Sequence, residues 1–102
     1  MHPILKTYKR AITDICKSLR IKRMYVFGSM ATNAYTNSSD IDLLISFEDD
    51  ITAEEYSDNY FILHHKLREL LKKEIDIITE RSLSNTHFIN KINNEKLLIY
   101  EG

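Results

Sequence analysis

Residues Met24 to Phe47 read MYVFGSMATNAYTNSSDIDLLISF. A short run of β-formers, Met24 to Phe27, stops at Gly28-Ser29. Ten residues later Asp40-Ile41-Asp42 opens a second hydrophobic run that ends at Phe47. A glycine directly after a strand lets the backbone turn sharply and approach a ligand closely. Ser29 is expected to head a short helix to about Ala34, where free N–H groups and the helix dipole favour a phosphate. A polar loop, Tyr35 to Ser39, then leads to the acids.

From Asp40 to Phe47 the residues alternate. Ile41, Leu43, Ile45 and Phe47 face one way, and Asp40, Asp42, Leu44 and Ser46 the other. Residues two apart on a strand lie about 6.6 Å apart at roughly 3.3 Å per residue. Two carboxylates so placed repel each other unless they share a cation, or a pair of cations about 3.5–4 Å apart. Mg²⁺ suits them, since it takes oxygen ligands and binds through one or two carboxylates plus substrate phosphates.

Outward from this stretch the pattern is that of a small α/β (α+β) protein. Ile4, Leu5, Tyr8, Ile12, Ile15, Cys16 and Leu19 recur at helical spacing and predict a helix from about Pro3 to Ser18. Tyr56, Tyr60, Leu63, Leu67, Leu70 and Leu71 predict a long amphipathic helix from about Ala53 to Lys72. Glu74 to Thr79 reads as a third strand. Ser84 or a near neighbour is expected to cap a last helix carrying Phe88, Ile89 and Ile92, and Leu97 to Tyr100 reads as a last strand. The order α-β-α-β-α-β-α-β predicts a small mixed sheet with helices mainly on one face.

Asp76 stands between Ile75 and Ile77 in the third strand, where acids are uncommon. If that strand lies beside the second, Asp76 points to the same side as Asp40 and Asp42. Three carboxylates on adjacent strands could then hold metal, and the third could draw a proton from an acceptor hydroxyl. The parts fit one reaction, attack of a hydroxyl on a nucleotide's α-phosphorus with loss of pyrophosphate. Such catalysis is largely positioning and charge neutralisation.

Length, composition and charge limit the alternatives. The 102 residues, 1–102, are expected to form one domain. No apolar run approaches the roughly 20 residues of a membrane span, and no signal peptide is read at the N-terminus. The one cysteine, Cys16, permits no internal disulfide, which suits a reducing cytoplasm. Residues 1–23 carry seven Lys or Arg against Asp14 alone, yet the chain as a whole has a net charge of −1. That balance argues against direct nucleic-acid binding. The basic first helix reads as a solvated face, although it could steer an anion. His64 and His65 are adjacent and diverge on a helix, so they read as structural or exposed. Cys16 reads as buried, and Ser39 as a turn residue.

Gly28-Ser29, ten residues, and Asp40-Ile41-Asp42, flanked by VFGS and SDIDLLI and followed by EIDII, resemble the signature of the polymerase-β-like nucleotidyltransferase superfamily. The short length resembles its minimal nucleotidyltransferase branch. The resemblance implies that Asp40, Asp42 and Asp76 form a catalytic, metal-binding triad for Mg²⁺, two ions in number. It implies a nucleotide site at Gly28 and Ser29, with Ser39 adjoining, for ATP as substrate. Many members of that branch are antitoxins that pair with a HEPN-type ribonuclease toxin in the cytoplasm, and some transfer AMP to a toxin tyrosine. The chain is too short for the helical domain by which larger relatives hold their acceptor, so an acceptor on a partner protein is expected. A catalytically idle antitoxin that works by binding alone is the alternative. One departure stands out, because members often read GSRARG where this chain has Gly28-Ser29-Met30-Ala31-Thr32-Asn33.

Overall fold

The computed structural model describes residues 2–32 and 34–102. Four strands form one sheet in the order β3-β2-β1-β4. They are β1 (Ile21–Phe27), β2 (Ile41–Phe47), β3 (Ile75–Thr79) and β4 (Leu97–Glu101). β1 lies antiparallel to both β2 and β4, whereas β2 and β3 run parallel. A parallel pair needs a crossover. Here the crossover is α3 (Ala53–Leu71), the longest helix.

Alternation along the strands divides the core between the two faces of the sheet. Met24, Val26, Ile41, Leu43, Ile45 and Ile75 point to one face. They pack against Leu5 of α1 (Pro3–Thr7), Ile12 and Cys16 of α2 (Lys9–Ser18), and Leu63 and Leu67 of α3. On the opposite face Phe27 and Leu44 pack against Ile92 of α4 (Thr86–Glu95), with Phe88 and Ile78 alongside. Helices therefore lie mainly on one face, as the pattern predicts, and α4 alone covers the other.

The expected elements are present with three differences. The first helix is interrupted at Tyr8, whose φ of −100° and ψ of 15° depart from helical values. β1 starts three residues earlier than its β-former run, because Ile21 pairs with Phe47 of β2. The helix expected over Ser29 to Ala34 is instead one 3₁₀ turn, Gly28–Met30. The Thr32 hydroxyl donates to the Ser29 carbonyl and accepts from the Ala34 N–H. Side-chain hydroxyls thus take the bonds a helix would need. Asn33 lies outside the described residues.

Candidate active site

The parallel register of β2 and β3 sets Asp42 directly opposite Asp76. Both leave the sheet on the α4 face, since their neighbours Ile41, Leu43, Ile75 and Ile77 are buried against α3. The side chains of Asp42 and Asp76 approach within hydrogen-bonding contact. Burial, then the charges of Asp76 and Asp40, push the Asp42 carboxyl up from 3.8 to about 6. Asp40 itself is exposed and sits just before β2, not within it as the alternation implied.

Gly28 follows β1 with φ +71°, in the left-handed region that favours glycine. A Cβ there would collide with the Asp42 carboxylate. The register explains the closeness, because Phe27 pairs with Asp42. So the turn and the acid, fourteen residues apart in the chain, meet at the end of one strand pair. The Gly28 N–H donates to Glu95 Oε1 of α4 at 2.9 Å.

These groups line one cavity of about 550 Å³. Gly28, Phe27 and Asp42 form its floor on β1 and β2, with Asp76 on β3 beside them. Phe88, Lys91 and Glu95 form a wall from α4. Tyr60 and His64 reach it from α3, across the outer edge of β3. There the Tyr60 hydroxyl donates to the Ile77 carbonyl at 3.0 Å and His64 Nε2 lies 2.9 Å from the Ile75 carbonyl oxygen. His64 is thus structural, as expected, and also borders the cavity.

The other expected residues are placed differently. Ser29 is half-buried and follows Gly28 without lining the cavity. Because the turn is a single 3₁₀ turn, no long helix dipole stands behind it, contrary to the sequence expectation. Ser39 is turned into its own loop, where its Oγ accepts from the Thr36 N–H at 2.7 Å. That bond fits the turn reading, and Ser39 is not among the residues lining the cavity. Met30 is fully buried, at 0 % exposure, among Leu5, Met24 and their neighbours. A cation at that position would be buried in the core here, so the departure from GSRARG is consistent with the packing.

The oxygen donor set tests whether a divalent metal suits the site. Among the described residues no three His, Cys, Asp or Glu side chains converge as a ready-made cage. Asp42 and Asp76 do converge, and their mutual repulsion is the kind a shared cation relieves. Mg²⁺ commonly takes only one or two carboxylates and completes its shell with substrate phosphates and water. The pair fits such an ion, with Asp40 adjacent, whereas a closed three-carboxylate site is not what the side chains form.

Sequence reading missed Glu95, Lys91 and Tyr60 as cavity residues. Phe88, Lys91, Ile92 and Glu95 follow one another at helical spacing, which is a usable signal for one face of α4. Nothing in the sequence told which side of the sheet that face would meet.

Comparison with known proteins bears on the family and the fold. The family described as "Polymerase beta, Nucleotidyltransferase" matches residues 10–102. A protein of Methanocaldococcus jannaschii named as a protein adenylyltransferase is 32 % identical over 97 residues, covering 95 % of this chain and 90 % of its own. A crystal structure of a toxin–antitoxin with AMP-PNP superposes with a TM-score of 0.71 at 20 % identity, over 92 % of this chain and 73 % of that one. The complex of tri-AMPylated Shewanella oneidensis HEPN toxin with its MNT antitoxin gives 0.66 at 18 % identity, over 96 % and 73 %. At these identities the two structures speak for the fold.

Proposed function

This chain belongs to the polymerase-β nucleotidyltransferase family, and we propose that it transfers AMP from ATP to a tyrosine hydroxyl of a HEPN-type toxin and thereby neutralises it. The observation that carries the reading is the meeting of Asp42, Asp76 and the Gly28 turn in one cavity. The adenylyltransferase name of the M. jannaschii relative supports the reaction, and the AMPylated toxin bound to a protein of the same fold supports the acceptor.

In this reading Asp42 and Asp76 hold Mg²⁺ with the nucleotide's phosphates, and Asp40 adds its charge at the rim. The metal supplies charge neutralisation at the triphosphate. Asp76 is exposed and lines the cavity, where it can take the proton of the incoming hydroxyl. The acceptor oxygen forms a bond to the α-phosphorus as the bond from that phosphorus to the bridging oxygen breaks, and pyrophosphate leaves. Gly28 keeps the floor flat enough for phosphate to approach. Among the described residues no helix is long and apolar enough to cross a membrane.

The test uses labelled ATP, Mg²⁺ and the product of the neighbouring gene. Label should pass to that partner with the wild type and vanish with Asp42→Ala. Tight binding and full neutralisation without label from either protein would overturn the enzymatic reading in favour of an antitoxin that only binds.

A further inference from the structure

α4 stands across the cavity from the acidic pair, and three of its side chains enter the same space. Phe88, Lys91 and Glu95 are spaced three and four residues apart, so they share one helix face. Ile92, 1 % exposed, anchors that face against Phe27 and Leu44 of the sheet. The helix is therefore held at a fixed height over the Gly28 turn.

Two of these side chains have unusual surroundings. Gly28 lies just past the end of the β1–β4 ladder, whose last pair is Val26 with Leu97. Its N–H would have no strand partner, and the Glu95 carboxylate accepts it at 2.9 Å. A carboxylate acceptor makes a stronger bond to an N–H than a neutral one does. Glu95 does this at an electrostatic disadvantage, since it adds a third negative charge beside Asp42 and Asp76. Lys91 is the one Lys or Arg lining the cavity, and it makes no ion pair among the described residues. Lys91 is thus an exposed cation in a space that also holds three carboxylates.

We propose that α4 is the phosphate-side wall of the nucleotide site, with Glu95 as a positioning residue that locks the Gly28 amide and Lys91 as the cation that reaches the phosphates of a nucleoside triphosphate. This rests on the nucleotidyltransferase reading and adds to it the half of the site that lies outside the Gly-Ser and Asp-x-Asp motif. The core position of Met30 supports the assignment, because the residue after Ser29 points into the protein and leaves the charge to be supplied from elsewhere.

The experiment titrates the full chain with a non-hydrolysable ATP analogue and Mg²⁺ by calorimetry, without acceptor, and follows the Gly28 amide by NMR without nucleotide. Each variant's melting temperature and spectrum establish that it folds. Lys91→Ala should weaken binding about tenfold, as expected for loss of one charge-assisted contact, and Lys91→Arg should restore it. The Gly28 amide should be unchanged in Lys91→Ala. Glu95→Ala should weaken binding by a similar factor, move the Gly28 amide resonance upfield and speed its exchange. Glu95→Gln retains an acceptor oxygen and should recover both readouts. Wild-type affinity in either alanine variant, or an unmoved Gly28 amide in Glu95→Ala, overturns the proposal. A wild type that binds no nucleoside triphosphate overturns the proposed function and the role of Lys91 with it. The amide shift in Glu95→Ala still decides whether Glu95 holds the turn.

Discussion

Asp42 is held where its ionised form is disfavoured, half-buried on β2 with Asp76 opposite, Asp40 two residues before it and Glu95 above. Its folded pKa is raised, so the folded protein binds this proton more tightly than the unfolded chain does. The penalty is absent below about 3.8, grows as pH rises, and is fully present above about 6. Asp42→Asn should therefore melt higher than the wild type near neutral pH in the presence of EDTA. The difference should shrink as pH falls toward 4, in melts followed by circular dichroism. A variant that is less stable than wild type at neutral pH would mean that the Asp42–Asp76 contact stabilises more than the repulsion destabilises. Gly28, Asp42 and Asp76 were legible in the sequence because their roles follow from position along a strand. Glu95 was not, since its bond to Gly28 spans sixty-seven residues and exists only once α4 has docked.

Helix ends set the boundaries of the elements. α3 begins in a capping box, with Thr52 Oγ1 accepting the Glu55 N–H and the Glu55 carboxylate accepting the Thr52 N–H. α4 begins at Asn85, whose Oδ1 accepts the Phe88 N–H at 3.1 Å. Ser84 was the nearer sequence expectation, and Asn85 takes the place because it is the residue with extended φ and ψ just before the first turn. Thr52→Ala and Asn85→Ala should each lower stability by about 1 kcal/mol in urea unfolding, with unchanged m-values. The helix ends at Ser18 and Leu71 lack glycines. Arg20, just beyond α2, takes the left-handed conformation at φ 61° and Lys72, capping α3, takes it at φ 55°. Arg20 is held there by ion pairs to Glu48, Asp50 and Glu55. Such pairings are invisible to periodicity, which is why the edges of these helices were less legible than their middles.

At the scale of the molecule, two layers of side chains flank one sheet, and their burial differs in kind. The α3 face is a continuous apolar core, and Cys16 lies in it fully covered. Burial pushes its thiol up to about 12. Alkylation of Cys16 should therefore be negligible in the native state, and its rate should rise with urea in step with global unfolding measured by circular dichroism. Labelling well below the unfolding transition would reveal a local opening of α2. The α4 face is thinner and carries the cavity, so the continuous core and the candidate site lie on opposite sides of the sheet. The alternation of β2 revealed this division in the sequence, but the placement of α4 on the cavity side depended on the packing of Ile92 and Phe88.

The parallel pairing of Asp42 with Asp76 makes the site a matter of odd and even. Strand side chains change sides at every residue, so moving β3 by one place would turn Asp76 into the core and set Ile75 or Ile77 opposite Asp42. A shift by two would restore its side but displace it along the strand from its partner. The chain between Asp42 and Asp76, with α3 in its middle, thus acts as a gauge whose length must be conserved in parity as well as in size. Single-residue insertions or deletions between Lys72 and Glu74 would be absorbed least well there. The described residues between Ala31 and Ser39 pair with no strand and have no such parity to keep.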